Sequence, residues 1–267
     1  RTVRLEAVLH ATGGRLLPDG LPIQKELRVA YVGGSVTEQK QGYRPRLNDW
    51  LRASICAPTG AKLVEIPAWC GNSGSKVLSF VVSDWVVAKR PNLVFVELAI
   101  NDGDTLLETE DATGVARAFE GILRQIRAEC TACIVCVLLM YVRGDMPLEQ
   151  RTGSMAWREN TAVNAAEAYH SAVPAIHRRV AAHYGAPCIN LIPLMAALSP
   201  GARDLAFRDD CHLHPAGAAL VASAICRSLA RLAAAPACEQ PPPPEPLDLA
   251  FWRRGESRDV EPTQLSF

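Results

Sequence analysis

The sequence predicts an α/β protein, a three-layer α/β/α sandwich with about five parallel strands, on three observations. Short apolar runs alternate with amphipathic stretches of helical period along most of the chain. The runs are apolar at nearly every position, as in strands covered on both faces. Gly, Asn or Asp residues stand directly behind several of them, where a strand would turn into a helix.

LRVAYVGG (27–34) reads as the first strand, ending in a tight turn at its two glycines. Tyr43, Leu47, Trp50 and Leu51 then recur at helical spacing. KLVEIPA (62–68) is the second strand, and Val77, Phe80, Val81, Asp84 and Trp85 indicate a helix behind it. NLVFVELAI (92–100) is the strongest strand, entered through Pro91 and left through Asn101, Asp102 and Gly103. Val115, Phe119, Ile122, Leu123 and Ile126 mark a helix, and CIVCVLLMYV (133–142) a fourth strand. Residues 159–184 are Ala-rich and helical in pattern, with a break at Pro174. PCINLI (187–192) is a short fifth strand, and residues 215–235 form a final helix opened by Pro215. The α/β domain is thus expected to span 1–236. Residues 237–267 hold a polyproline linker, CEQPPPPEP (238–246), and a stretch without clear period, read as a tail on the domain or the start of a further module.

The chain has 267 residues, with Lys+Arg 28 against Asp+Glu 28. That balance argues against a nucleic-acid partner, which would need an excess of basic residues on one face. The longest apolar runs fall short of the ~20 residues of a membrane-spanning helix. No basic-then-apolar segment opens the chain, but it begins at Arg1 and not at Met, so the compartment stays open, as does the oligomeric state. The nine cysteines have no disulfide-scaffold rhythm. Cys130, Cys133 and Cys136 form a CxxCxxC run without a second ligand pair, and read as buried thiols, with Cys133 and Cys136 on opposite faces of a strand.

In an open parallel sheet, ligands bind beyond the carboxyl ends of the strands. Ser35 follows the first strand, Gly71, Asn72, Ser73 and Gly74 the second, and Asn101 and Asp102 the third. Asp209, Asp210, His212 and His214 stand just before the last helix. A Ser, an Asn and an Asp/His group on one sheet edge meet the needs of acyl transfer: a nucleophile, its base, a carboxylate to orient the base, and donors for the oxyanion.

At these residues the sequence resembles the SGNH hydrolases, also called GDSL esterases. Gly33-Gly34-Ser35-Val36-Thr37 takes the place of the Gly-Asp-Ser-like turn, and Ala99-Ile100-Asn101-Asp102 that of Gly-x-Asn-Asp. Asp209-Asp210-Cys211-His212-Leu213-His214-Pro215-Ala216-Gly217 matches the last block, Asp-x-x-His-(Pro/Leu)-x-x-x-Gly. The three blocks cover roughly residues 28–231 in the family's order, and the strings GGSVTEQKQGYRP and FVELAIND resemble one branch of the group. The resemblance implies a flavodoxin-like sandwich and a serine ester hydrolase acting on small acyl esters, among them acetyl esters of carbohydrates. It implies Ser35 as nucleophile, His212 as base and Asp209 as its orienting carboxylate. Asn101 and the backbone N–H groups of Ser35 and the Gly71/Asn72 turn are the implied oxyanion donors. In the family a glycine shapes that turn; here Asn72 stands in register with Gly71 beside it. No metal or cofactor is implied, and the expected partner is a small-molecule or glycan ester.

Other readings weigh against this one. Gly33-Gly34 with Ser35 would suit a phosphate-cradling turn, but GxGxxG and GxxxxGK[ST] are absent. His212 and His214 with Asp209 would suit a metal, but no further ligand cluster accompanies them. Cys211 adjoins His212, so their side chains are expected to diverge, and His170, His177 and His183 are expected on a solvated surface. An acyltransferase of the same fold, or a non-catalytic carbohydrate-binding relative, would carry the same residues. The product formed with and without a sugar acceptor, and hydrolysis of a p-nitrophenyl ester, separate those alternatives.

Overall fold

The computed structural model describes residues 26–144 and 167–234. Five strands, β1 (Glu26–Gly33), β2 (Lys62–Trp69), β3 (Leu93–Glu97), β4 (Ile134–Leu139) and β5 (Cys188–Asn190), form one sheet in the order β2-β1-β3-β4-β5. All four pairings are parallel. This is the predicted doubly wound sandwich. The chain leaves β1 for β2 on one side and returns to β3 on the other, so the crevice where strand order reverses lies between β1 and β3. Gly33 and Glu97 pair there at the strand ends.

After β1 come a one-turn helix α1 (Ser35–Glu38) and α2 (Tyr43–Leu51), the latter extended by a π-turn at Arg52–Cys56. α3 (Ser75–Trp85) follows β2, α4 (Ala99–Thr109) and α5 (Ala112–Glu129) follow β3, and a π-turn at Ala168–Ala172 leads into α6 (Val173–His183). The chain closes with α7 (Ile192–Ala196), α8 (Pro200–Ala206) and α9 (Pro215–Ala234). α2 packs with α9 in one layer, and α3, α5 and α6 pack together in the other. Among the described residues no helix is long and apolar enough to cross a membrane.

β3 and β4 are buried at every position, which is why they read as uninterrupted apolar runs. β2 lies at the sheet margin. Cys70 donates to Gly33 O, so by the alternation of strand amides Pro67 faces the open edge, where its missing N–H costs no ladder bond. Cys130, Cys133 and Cys136 are buried thiols, as expected, and burial raises all three, Cys136 to about 12.

Two elements differ from the sequence expectation. The third strand stops at Glu97, and Ala99, Ile100 and Asn101 belong to the first turn of α4. A continuous apolar run does not distinguish a buried strand from a buried helix turn, and here one run contains both. α7 and α8 are too short for a helical period to show. Pro174 does mark a junction: it sits in the first turn of α6, after the π-turn. The part of the Ala-rich stretch before residue 167, and the expected linker and tail at 237–267, lie outside the described residues.

Gly217, in the first turn of α9, shows why the last block ends in glycine. A Cβ there would collide with the Ala206 carbonyl, which also accepts from His214 N at 2.9 Å. Gly217→Ala is therefore expected to lower stability by about 1–3 kcal/mol, the usual cost of overpacking against a backbone that must shift. Urea unfolding checks it; an unchanged midpoint would mean that α8 yields freely.

Candidate active site

Ser35 opens α1 directly behind β1, so the pleat ends where the serine points out of the sheet edge. Its Oγ lies 2.8 Å from His212 Nε2. His212 Nδ1 in turn lies 2.9 Å from both oxygens of Asp209. The three residues predicted to act together are brought together, across 177 positions of sequence.

The local fold of the Asp209–His212 segment follows from the carboxylate itself. Asp209 Oδ1 accepts the backbone N–H of Cys211 at 3.1 Å and of His212 at 2.7 Å, a side-chain-closed turn that swings the imidazole back over the same carboxylate. A bridge between Phe207 and Leu213 and the Arg208 N–His212 O bond of 2.8 Å close the loop. Burial would raise the Asp209 carboxyl, but the hydrogen bonds from the His212 ring and from the two backbone N–H groups outweigh it and hold the group well below the usual carboxylate range. Asp209 thus stays ionised beside a ring that gains a proton, which suits an orienting carboxylate.

A residue that sequence reading missed joins the two halves. Gln39, just past α1, accepts from Leu213 N at 3.1 Å and donates to Leu213 O at 3.3 Å, pairing with that backbone as a strand would. The clamp fixes the distance from the Ser35 turn to the imidazole. A glutamine in a polar turn carries no periodic signal, so only the fold reveals its role.

Asn101 is 8% exposed and lies against Gly34, where any Cβ would collide with its carboxamide. The second glycine of Gly33-Gly34 is thus required by the approach of Asn101, and the asparagine sits beside the turn that carries Ser35. Asn72 has φ 58°, in the left-handed region, which asparagine tolerates better than other residues with a Cβ. The turn after β2 therefore keeps a glycine-like shape at Asn72, while Gly71 beside it is exposed.

Two expectations need correction, the solvated surface for His177, His170 and His183 and the divergence of Cys211 from His212. His177 is fully buried, with Nε2 2.8 Å from Asp102 Oδ2 and its ring stacked on Phe119 at 3.7 Å. His170 is half-buried, bonded to Val142 O at 2.7 Å and stacked on Tyr141, and His183 is half-buried against Tyr184. The Ala-rich pattern hid these faces because alanine marks neither core nor surface. Cys211 does not diverge from His212: its Sγ lies 3.6 Å from Nδ1, since the Asp209 turn folds both side chains inward. His214 is exposed. Asp209, Cys211 and His212 each place a possible ligand atom within 4.8 Å of the others, but the carboxylate and Nδ1 already engage one another.

Behind the site, Glu97 is buried at 1% exposure; Oε2 accepts from Thr37 Oγ1 at 3.1 Å and Oε1 has no partner. Thr37 Oγ1 also meets Tyr43 OH at 3.0 Å, and Thr37 O accepts from Arg44 Nε at 3.0 Å. Arg44 pairs with Glu65 and lies 4.0 Å over the Trp69 ring, so the tail of α1 is braced from below. Burial first, then the nearby Asp102 charge, push the Glu97 carboxyl up to about 7, against the lowering effects of the Thr37 bond and of His212.

A family model described as the GDSL-like lipase/acylhydrolase family matches residues 31–220. No curated protein matches at a significant level. Among solved structures, a two-domain esterase active on acetylated mannans, crystallised with mannopentaose, superposes with TM-score 0.62 at 23% identity, over 83% of this chain and 53% of that one. The present chain thus spans about half the length of that relative. An acetyl xylan esterase, AlAXEase, matches with TM-score 0.59 at 17% identity over 75% of this chain and 98% of that one. A GDSL-like lipase from Parabacteroides merdae, described as putative in its own structure's name, matches with TM-score 0.61 at 11% identity over 83% and 99%. At these identities the likeness is one of fold.

Glu97 yields a pH prediction. Its carboxyl is raised from 4.5 to about 7 in the folded protein, so the unfolded chain releases the proton first as pH rises. Stability is thus undiminished by this group below 4.5 and falls as pH climbs to about 7, by on the order of 3 kcal/mol at most. Glu97→Gln is expected to gain stability relative to the wild type across that window. Melting curves from pH 4 to 8 check it, and a constant difference between the two proteins would show that Glu97 ionises at an ordinary value.

Proposed function

This chain belongs to the GDSL-like lipase/acylhydrolase family, and we propose that it is a serine ester hydrolase in which Ser35, His212 and Asp209 act as the catalytic triad. The observation that carries the proposal is the unbroken hydrogen-bond chain from Ser35 Oγ through both ring nitrogens of His212 to Asp209. In this reaction Ser35 Oγ attacks the ester carbonyl as Nε2 takes its proton. Asp209 holds the ring in the Nδ1–H tautomer and stabilises the imidazolium. The imidazolium then protonates the departing alkoxide, leaving an acyl-serine. Water, deprotonated by Nε2, adds to the acyl carbon, and the imidazolium gives that proton to Ser35 Oγ as the carboxylic acid is released. In this proposal Asn101 and the backbone N–H groups of Ser35 and of the Gly71/Asn72 turn donate to the carbonyl oxygen as it gains charge. The likeness to esterases of acetylated mannan and xylan supports acetyl esters of carbohydrates as the substrate class.

Ser35→Ala is expected to abolish hydrolysis of p-nitrophenyl acetate and of acetylated oligosaccharides with melting behaviour nearly unchanged. Substantial turnover by the folded variant would remove Ser35 from the mechanism. Asp209→Asn should cost far more in kcat than Asp210→Asn, since it is the Asp209 carboxylate that meets Nδ1. The opposite ranking would overturn the assignment of the orienting acid.

Asn101→Ala is expected to lower kcat on the order of 10²–10³-fold with KM little altered, because the donor acts mainly in the transition state. A much lower melting point with kcat preserved would make Asn101 a structural residue instead.

A further inference from the structure

Asp102, beside Asn101, is fully buried, and its carboxylate is engaged by Ser75 and His177. Three donors meet its carboxylate. Ser75 N–H donates to Oδ1 at 2.7 Å, Ser75 Oγ–H to Oδ2, and His177 Nε2–H to Oδ2 at 2.8 Å. A carboxylate can only accept, so opposite it the two Ser75 groups and His177 Nε2 are the donors. The other ring nitrogen, Nδ1, is buried without a partner, and the ring lies parallel to Phe119 at 3.7 Å and 2°. Burying a histidine this way is costly, since one polar atom stays unpaired. A core made only for stability would place an apolar residue here.

What the cluster joins explains its position. Ser75 is the first residue of α3, immediately after the Gly71–Gly74 turn, and Asp102 is in the first turn of α4, immediately after Asn101. Gly74 packs so closely that a Cβ would collide with Asp102 Oδ1 and stand 3.2–3.3 Å from the Asn101 carbonyl group. The carboxylate therefore fastens two helix N-termini, and with them two strand-end turns, to each other. His177, held by Phe119, braces the carboxylate from the α5–α6 layer.

We infer that Asp102, Ser75 and His177 form a positioning cluster for the oxyanion site, setting the separation between the Asn101 side chain and the backbone N–H groups of the Gly71/Asn72 turn. The inference rests on the reading that those groups bind the oxyanion. Donors aimed at a developing charge lose much of their effect when displaced by an ångström, so a residue outside contact with substrate can govern rate through them.

The test is a double-mutant cycle with kcat, KM and melting point measured on acetyl ester hydrolysis. Asp102→Asn, which turns half of the acceptor into a donor facing Ser75, is expected to lower kcat by ~10–10²-fold with KM nearly constant, and to cost several-fold less in an Asn101→Ala background. His177→Gln, which keeps an N–H near the Nε2 position, should retain most of the rate, whereas His177→Leu, which keeps the volume without the donor, should not. These two variants keep the inference testable if Asp102→Asn fails to fold. Multiplying effects in the double mutant, or equal rates for the Gln and Leu variants with only the melting point changed, would overturn the positioning role while the slow Asn101→Ala single variant kept the oxyanion reading intact. If Asn101→Ala alone turned over at the wild-type rate, the oxyanion reading would fall and the positioning role with it.

Discussion

The 2.8 Å hydrogen bond from Ser35 Oγ to His212 Nε2 joins residues 177 apart, and most of the described structure can be understood as what holds its two ends in place. One end is set by β1, whose eight residues all pair with β2 and whose last five also pair with β3, leaving Ser35 at a fixed point past the sheet. The other end is set by the eight-residue loop between α8 and α9, which has almost no regular structure. The Asp209 carboxylate closes that loop on two of its own N–H groups, Gln39 zips its far strand to the Ser35 side, and α9 docks onto Ala206 through Gly217. The first two devices spend a polar side chain on backbone geometry, because a hydrogen bond between two side chains is only as precise as the main chain that carries them.

The carboxyl edge of the sheet also gathers an unusual density of buried acids. Glu97, Asp102 and Asp209 all lie there, and their environments divide them. Asp209 collects donors and stays ionised; Asp102 collects three donors and ties two helices; Glu97 has one weak donor and an oxygen with none. A second full charge at Glu97 would repel Asp102 and lie in a medium that screens it poorly, so the proton remains on Glu97 up to about neutral pH. Burial, neighbouring charge and hydrogen-bond supply together leave Asp209 ionised against the His212 ring, Asp102 tying two helices, and Glu97 protonated up to about neutral pH.

Much of this was legible in the sequence, for identifiable reasons. Buried parallel strands give uninterrupted apolar runs, so β1 to β5 appear within a few residues of their ends. Polar residues directly behind those runs have few structural excuses, so Ser35 and Asn101 stood out, and the i, i+3 spacing selected Asp209 over Asp210. The missed side-chain partnerships share one cause: the information lay in long-range packing. Glu97 read as one polar letter in a strand, Gln39 as one in a turn, and His177 as one on an Ala-rich helix. None has a local pattern that reveals a partner 60 or more positions away.

The glycines make the same point from the other direction. Gly34, Gly74 and Gly217 are each compelled by an intruding group, the Asn101 carboxamide, the Asp102 carboxylate and the Ala206 carbonyl respectively, and none of the three adopts a left-handed backbone. Where the chain does turn left-handed at the site, it uses Asn72. So the glycine that the family places in that turn serves conformation, and asparagine can replace it at modest cost. The glycines facing Asn101 and Asp102 serve clearance, and no side chain can replace them without moving the groups they admit. A motif glycine lost from the first kind of position leaves the chemistry in place. One lost from the second kind would displace the Asn101 or Asp102 side chain, whereas asparagine at position 72 keeps the left-handed backbone of its turn.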